Sequence, residues 1–449
     1  MIEVNNKEEK KKKKKTKISA QKIFNLFCVM FILACCKFYG SRFISLYIDN
    51  KKIEDVKLFA NIVMEENKNN SKFKEINNTY YFQGKEVNNY LKYSNLTWRI
   101  IRINDDHTIT AILDNSITSL AADNTFTNSY INMWLNYNGK EYTGILENSL
   151  NKPVKYLADT YTCNDIIDDI SKINCNNKTE NTLITIPSLN DFANTGGSDS
   201  FMNNEEYYYL INSNKENKLW YVNKEGNINT TNGEDILGIK PVITINNTIK
   251  LIEGKGTKDN PYIIEKENSL FGSYVKLGND IWRIYCVDGD NIKLSLDSYL
   301  KINGNEVKYK YSNNGYYHND TKSGSLAFYL KNTYLNSLSY KDIINEVEYS
   351  NGLYSNVTKY DYREVLKEKV DTKVTVLSIG DIFLNPLNTN YYTSTGISKD
   401  NNLVYVMNNN FKLYTNIATQ NLKIVPVISI DKNLLTEGEG TLTSPLEVK

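Results

Sequence analysis

The chain reads as an α+β protein: two tandem β-rich domains with antiparallel sheets, preceded by one N-terminal transmembrane helix. Three observations predict this. Most of the sequence is written twice at a constant displacement. Each copy is built of short apolar runs broken by polar turns. Ahead of both, a lysine block leads into an apolar stretch.

Trp98-Arg99-Ile100 returns as Trp282-Arg283-Ile284, 184 residues on. Tyr207-Tyr208 returns as Tyr391-Tyr392, and Leu219, Tyr221 and Val222 return as Leu403, Tyr405 and Val406, at the same displacement. Glu253-Gly254, Gly256-Thr257 and Pro261 likewise return as Glu437-Gly438, Gly440-Thr441 and Pro445. One offset held from end to end means two homologous units. At about 180 residues, each copy is long enough to bury a core without metal or disulfide help.

Residues 1–22 carry nine Lys and three Glu, a charge of +6, with an unbroken basic run from Lys10 to Lys15. Ile23–Cys36 is apolar except for Asn25, and Phe38–Tyr39 and Phe43–Ile48 extend that character. Positive charge before an apolar segment holds its side in the cytoplasm, so the chain beyond that segment is expected outside the cell membrane. An uncleaved single-pass signal anchor over 23–48 is the preferred reading. The rival is a lipoprotein signal, in which Ile32-Leu33-Ala34-Cys35 would lipidate Cys35. Apolar Ile53, Val56, Phe59 and Val63 then predict a short juxtamembrane helix within 49–77.

The repeats occupy 78–266 and 267–449. In each, Thr97–Ile103 or Ile281–Val287 opens a hairpin whose second strand is Thr108–Leu113 or Ile292–Leu296. Ser129–Asn136 reads as a helix, matched by Gly324–Lys331. Further strands are expected at Thr182–Ile186 and Lys373–Leu377, each followed by an Asp (Asp191, Asp381). Leu219–Val222 and Leu403–Val406 are strands too, and Pro241–Ile245 and Pro426–Ile430 end the core. Segments beginning at Pro261 and Pro445 read as closing edge strands.

The order Asn89-Tyr90-x-Lys92-Tyr93, Trp98-Arg99-Ile100-Ile101-Arg102, Ser129-Tyr130-Ile131-x-x-Trp134-Leu135-Asn136 and Gly238-Ile239-Lys240-Pro241-Val242 resembles a family of surface proteins from low-GC Gram-positive bacteria. These carry a domain of unknown function similar to the formylglycine-generating-enzyme and C-type-lectin-like superfamily. The resemblance covers about 78–265 closely and 269–449 loosely, where the Trp-Leu-Asn motif becomes Tyr329-Leu330-Lys331. It implies C-type-lectin-like domains.

Chemistry is sparsely signalled. No catalytic set is visible: formylglycine-type enzymes need paired active-site cysteines, and Cys163 and Cys175 read instead as a structural disulfide. Cys286 reads as a buried small apolar residue. The two histidines, His107 and His318, are too scattered for zinc, so no metal or cofactor is expected. Beyond residue 48 the chain carries 42 basic and 49 acidic groups, which argues against nucleic acid as partner.

Aromatic residues are the remaining signal, with 34 Tyr, 15 Phe and 4 Trp. Trp98 and Trp282 recur and read as core. Trp134, Asn136, Trp220 and Tyr221, with Tyr208 from the tyrosine run, are the candidate ligand-binding residues. The expected function is a non-enzymatic, membrane-anchored surface protein whose domains bind a cell-wall or host glycan or a protein ligand. A structural envelope subunit and a divergent enzyme are the alternatives.

Overall fold

The computed structural model describes residues 57–449 apart from 124–125, 162–164, 174–181, 267–268, 314–323, 351–360, 386 and 398–401. The expected anchor over 23–48, Cys35, and the Cys163–Cys175 pair lie outside the described residues. Among the described residues, no helix is long and apolar enough to cross a membrane.

The β-rich reading holds, and the two repeats share one plan of two sheets, each with the same five-strand core, which further strands widen to nine in one sheet of the first repeat. In the first repeat, Tyr90–Tyr93, Leu96–Ile103, Ile109–Leu113, Val242–Ile245 and Ile184–Thr185 pair antiparallel in that order. In the second, Tyr274–Leu277, Asp280–Asp288, Asn291–Leu296, Pro426–Asp431 and Val374–Val376 repeat the order. We call these the Trp-Arg-Ile sheets. The closing segments join the same edge in parallel rather than antiparallel, Tyr262 pairing with Leu91 and Leu446 with Val275.

The other sheet of each repeat carries the tyrosine pair. Its order is Ile228–Thr231, Leu219–Val222, Tyr208–Ser213, Leu237–Ile239 and Thr118–Leu120 in the first copy. Tyr414–Ile417, Leu403–Met407, Tyr391–Gly396, Asn421–Lys423 and Lys308–Lys310 give the same order in the second. Trp98 and Trp282 are fully buried in equivalent places, as a duplicated scaffold requires. Arg99 and Arg283 lie over the rings of Tyr90 and Tyr274 at 3.8 and 5.0 Å, so even this cation–aromatic pair is duplicated.

Two elements are peculiar to the N-terminal side. The helix Phe59–Asn67 buries Phe59, Ala60 and Val63 on one face, the period read from the sequence. A hairpin of Phe73–Ile76 and Thr79–Phe82, within and just past the expected linker, widens the first sheet by pairing Tyr81 with Arg102.

Leu58–Lys449 forms one compact unit, and a single apolar cluster spans both copies. Trp134 is fully buried and donates its indole N–H to the Gly380 carbonyl at 2.8 Å. Nearby, Tyr362 donates its hydroxyl to the Tyr142 carbonyl at 2.6 Å. On the tyrosine sheets, Ser119 donates to the Phe411 carbonyl and the Tyr207 N–H to the Asn410 carbonyl. The repeats are therefore fused through hydrogen-bonded, water-excluded surfaces rather than strung as beads.

Candidate functional site

A polar concavity of the first repeat, about 540 Å³, lies on one face of its Trp-Arg-Ile sheet. Its floor follows from strand register. Tyr81 pairs with Arg102, Arg102 with Thr110, Thr110 with Thr244, and Thr244 with Ala158, a single row crossing five strands. Two residues along, Thr79, Asn104 and Thr108 continue the same lining, because strand side chains alternate faces with period two. The row depends on a bulge: Ile100 faces Ala111 but Arg102 faces Thr110, so one extra residue re-aims the strand.

One wall is a short helix, Leu189–Asn194. Ser188 caps it, accepting the Asp191 N–H at 3.0 Å and donating its hydroxyl back to the Asp191 carboxylate at 2.9 Å. This Ser-x-x-acid box holds Asp191 against the buried Arg102 guanidinium in an ion pair. Arg102 also donates to the Asn104 side chain at 2.9 Å and the Tyr161 carbonyl at 3.3 Å, which ties floor to rim. Asn104 donates to Thr108 and Thr110 at 2.8 and 3.0 Å. Burial pushes the Tyr81 hydroxyl above its ordinary range, so it stands ready as a neutral donor.

The rim differs from the floor. Tyr161 is 49% exposed, leaving ring surface for a ligand to stack on. Asp105 and Asp159 are exposed at the same rim. Among the described residues Arg102 is the single cation lining the pocket, against four aspartates, and it is already paired. The arrangement suits multiple hydrogen bonds to a small polar molecule and an apolar ring face beside them. Among the described residues no group of three or more His, Cys, Asp or Glu is placed to hold a metal ion.

None of the residues chosen from sequence lines this pocket. Trp134 is walled into the contact between repeats and has no face left for a ligand, a correction to the sequence expectation. Tyr208 is also fully buried, its hydroxyl donating to the Met202 carbonyl at 3.2 Å, because its sheet is covered on both sides. Of its neighbours in the tyrosine run, Tyr209 is buried and Tyr207 is half-buried, stacked on Tyr221. Trp220 is half-buried and donates its N–H to the Ile167 carbonyl at 2.9 Å. Asn136 brackets Ile184, donating to its carbonyl and accepting its N–H at 2.7 and 2.9 Å, and contributes to a separate Asn-rich surface hollow.

The pocket residues carried one readable signal. Arg102-x-Asn104 and Thr108-x-Thr110 place polar groups at alternate positions in strands of an otherwise apolar core, and Arg102 has Cys286 at its repeat position.

The second repeat has a concavity at the equivalent place, about 590 Å³, lined by Cys286, Lys293 and Asp381. The same bulge recurs between Ile284 and Cys286, and Cys286 faces Lys293 as Arg102 faces Thr110. Ser378 and Asp381 repeat the box, Asp381 accepting the Ser378 N–H and hydroxyl at 2.8 and 3.0 Å. Burial raises the Asp381 carboxyl, and pushes the Cys286 thiol up to about 11. Cys286 is thus a partly buried pocket thiol, protonated at neutral pH. No protein-family model matches the chain, and neither a curated protein nor a solved structure does.

Proposed function

We propose that the first repeat is a binding module for a small, hydroxyl-rich ligand of saccharide type, and that the protein works by binding rather than catalysis. The observation that carries this is the pocket itself: a register-built row of Tyr, Arg, Asn and Thr groups under the exposed ring of Tyr161. Sugars present alternating donors and acceptors at their rim and C–H faces that pack on aromatic rings. The lectin-like reading of the two repeats, and their display outside the cell on a membrane anchor over 23–48, belong to the same proposal. They are supported by the repeat motifs and by the lysine block ahead of the apolar run.

The test is calorimetric titration of the full-length protein, in neutral-lipid nanodiscs, with neutral and amino monosaccharides and soluble cell-wall fragments. Saturable binding that is lost in Asn190→Ala and Tyr161→Ala supports the reading. Absence of binding across the panel, or binding unchanged by both substitutions, overturns it.

A further inference from the structure

The second concavity has a different chemistry from the first and is walled by both repeats. One side comes from the first copy, including Ile145, Leu150 and Lys152; the other comes from the second, including Phe271, Leu366 and Ile382. These walls mix apolar and polar side chains about equally, and the volume of about 590 Å³ falls within the range of small-molecule sites, roughly 300–1,000 Å³. Of the three lysines that line it, Lys152 belongs to the first copy's side, and Lys293 and Lys369 to the second. Burial raises the Cys286 thiol; Lys293 and Lys369 favour its ionised form, while Asp381 and Asp288 oppose it. Lys293 donates to the Glu348 carbonyl at 2.7 Å, a neutral acceptor, and lies 4.8 Å from the Tyr349 ring centroid. Lys369 meets the Glu348 carboxylate at 3.3 Å and lies 5.2 Å from the Tyr142 ring centroid. Among the described residues Asp381 is the one acid lining the cavity, and one of its carboxylate oxygens accepts both the N–H and the hydroxyl of Ser378.

We infer that this cavity binds an amphiphile with an anionic head, the head at Lys293 and Lys369 beside Cys286 and the tail along Leu150, Phe271, Leu366 and Ile382. A cationic corner at the end of an apolar trough sorts ligands by both ends. A head alone lacks the buried tail area, and a cationic amphiphile meets like charge. The site is independent of the saccharide pocket. It is built between the second repeat's sheet and another part of the first repeat, and shares no lining residue with that pocket.

Cys286 supplies the reporter. Its alkylation by iodoacetamide at pH 9 is followed by peptide mass spectrometry in the full-length protein held in neutral-lipid nanodiscs. The added probes are octyl phosphate, octanoate, octyltrimethylammonium and inorganic phosphate. The expected result is saturable protection by octyl phosphate or octanoate and none by the cationic amphiphile or inorganic phosphate. Protection by octyl phosphate alone assigns a phosphate head, and by octanoate alone a carboxylate. The double variant Lys293→Gln, Lys369→Gln should raise the half-protecting concentration by about tenfold or more. An unchanged thermal midpoint shows that this variant is folded; if it is unfolded, the single variant Lys369→Gln takes its place, with a smaller rise expected. Equal protection by the cationic amphiphile, protection by inorganic phosphate alone, or none from either octyl anion overturns the assignment.

Discussion

Two concavities stand at equivalent places on two homologous sheets, and they have diverged into different chemistries. Both are shaped by the same bulge and by the same Ser-x-x-Asp box. In the first, Arg102 neutralises the box aspartate and the rest of the floor is hydroxyls and amides. In the second, Cys286 stands where Arg102 stood and Lys293 where Thr110 stood, so the floor becomes weakly polar with cations at its edge. The lesson concerns what a duplication preserves. Backbone devices that shape a hollow survive, because strand register depends on them. The side chains that face into the hollow are free to change, because no neighbour in the sheet needs them.

The contrast can be broken most severely at the contact between copies. Trp134→Ala empties a fully buried indole and orphans the Gly380 carbonyl, so a loss of about 3–5 kcal/mol is expected in chemical denaturation. Because the cluster around Trp134 spans both repeats, tryptophan fluorescence and circular dichroism should report one shared transition that moves as a whole. Separate transitions would mean that the repeats fold independently.

Arg102→Ala should cost about 3 kcal/mol, because it leaves the Asp191 carboxylate buried without its cation. The matching Cys286→Ala change should cost about 1 kcal/mol or less, since no ion pair is broken there. Equal costs at the two positions would show that the ion pair is not what distinguishes the hollows.

The pH response separates the copies again. Burial lifts the Glu206 carboxyl from its ordinary 4.5 to about 7, against the opposing pull of Lys240 and the Ser116 hydrogen bonds. A raised carboxyl stabilises the fold fully below pH 4.5, and that contribution is lost as pH rises through about 7. Its size is on the order of 3 kcal/mol. Glu206→Gln should flatten this decline. In the second repeat burial lifts Asp297 from 3.8 to about 6, so Asp297→Asn should flatten only the part of the curve between those values. Stability curves that keep their slope in both variants would contradict these assignments. The smallest change is Tyr161→Ala. It should leave stability within about 0.5 kcal/mol while weakening saccharide binding about tenfold.

The repeat displacement was enough to lay out the strands, because Trp98 and Trp282 sit in the same buried slot and bring their neighbours into matching register. Helix starts were also legible, since Ser129 and Ser325 cap in both copies. The pocket was not. Its row joins Tyr81, Arg102, Thr110 and Thr244, residues brought together by pairings and a bulge that no local pattern announces. Trp134 misled for a related reason. Occurring as Trp only in the first copy, it resembled a specialised binding residue, whereas its partner is Gly380 of the other copy.

The parallel closing strands bear on how the chain is made. Tyr262 returns to Leu91, and Leu446 returns to Val275, so each sheet gains its edge strand from the last segment of its own repeat. Pairings so distant along the chain close late and slowly. During synthesis the Tyr90–Tyr93 edge therefore waits for nearly the whole first repeat to emerge, presenting unpaired backbone groups to the cell in the meantime. A truncation that removes Leu446 would leave the corresponding edge of the second repeat open for the lifetime of the molecule. Removing the segment that carries Leu446 should therefore first appear as self-association, before any loss of ligand binding.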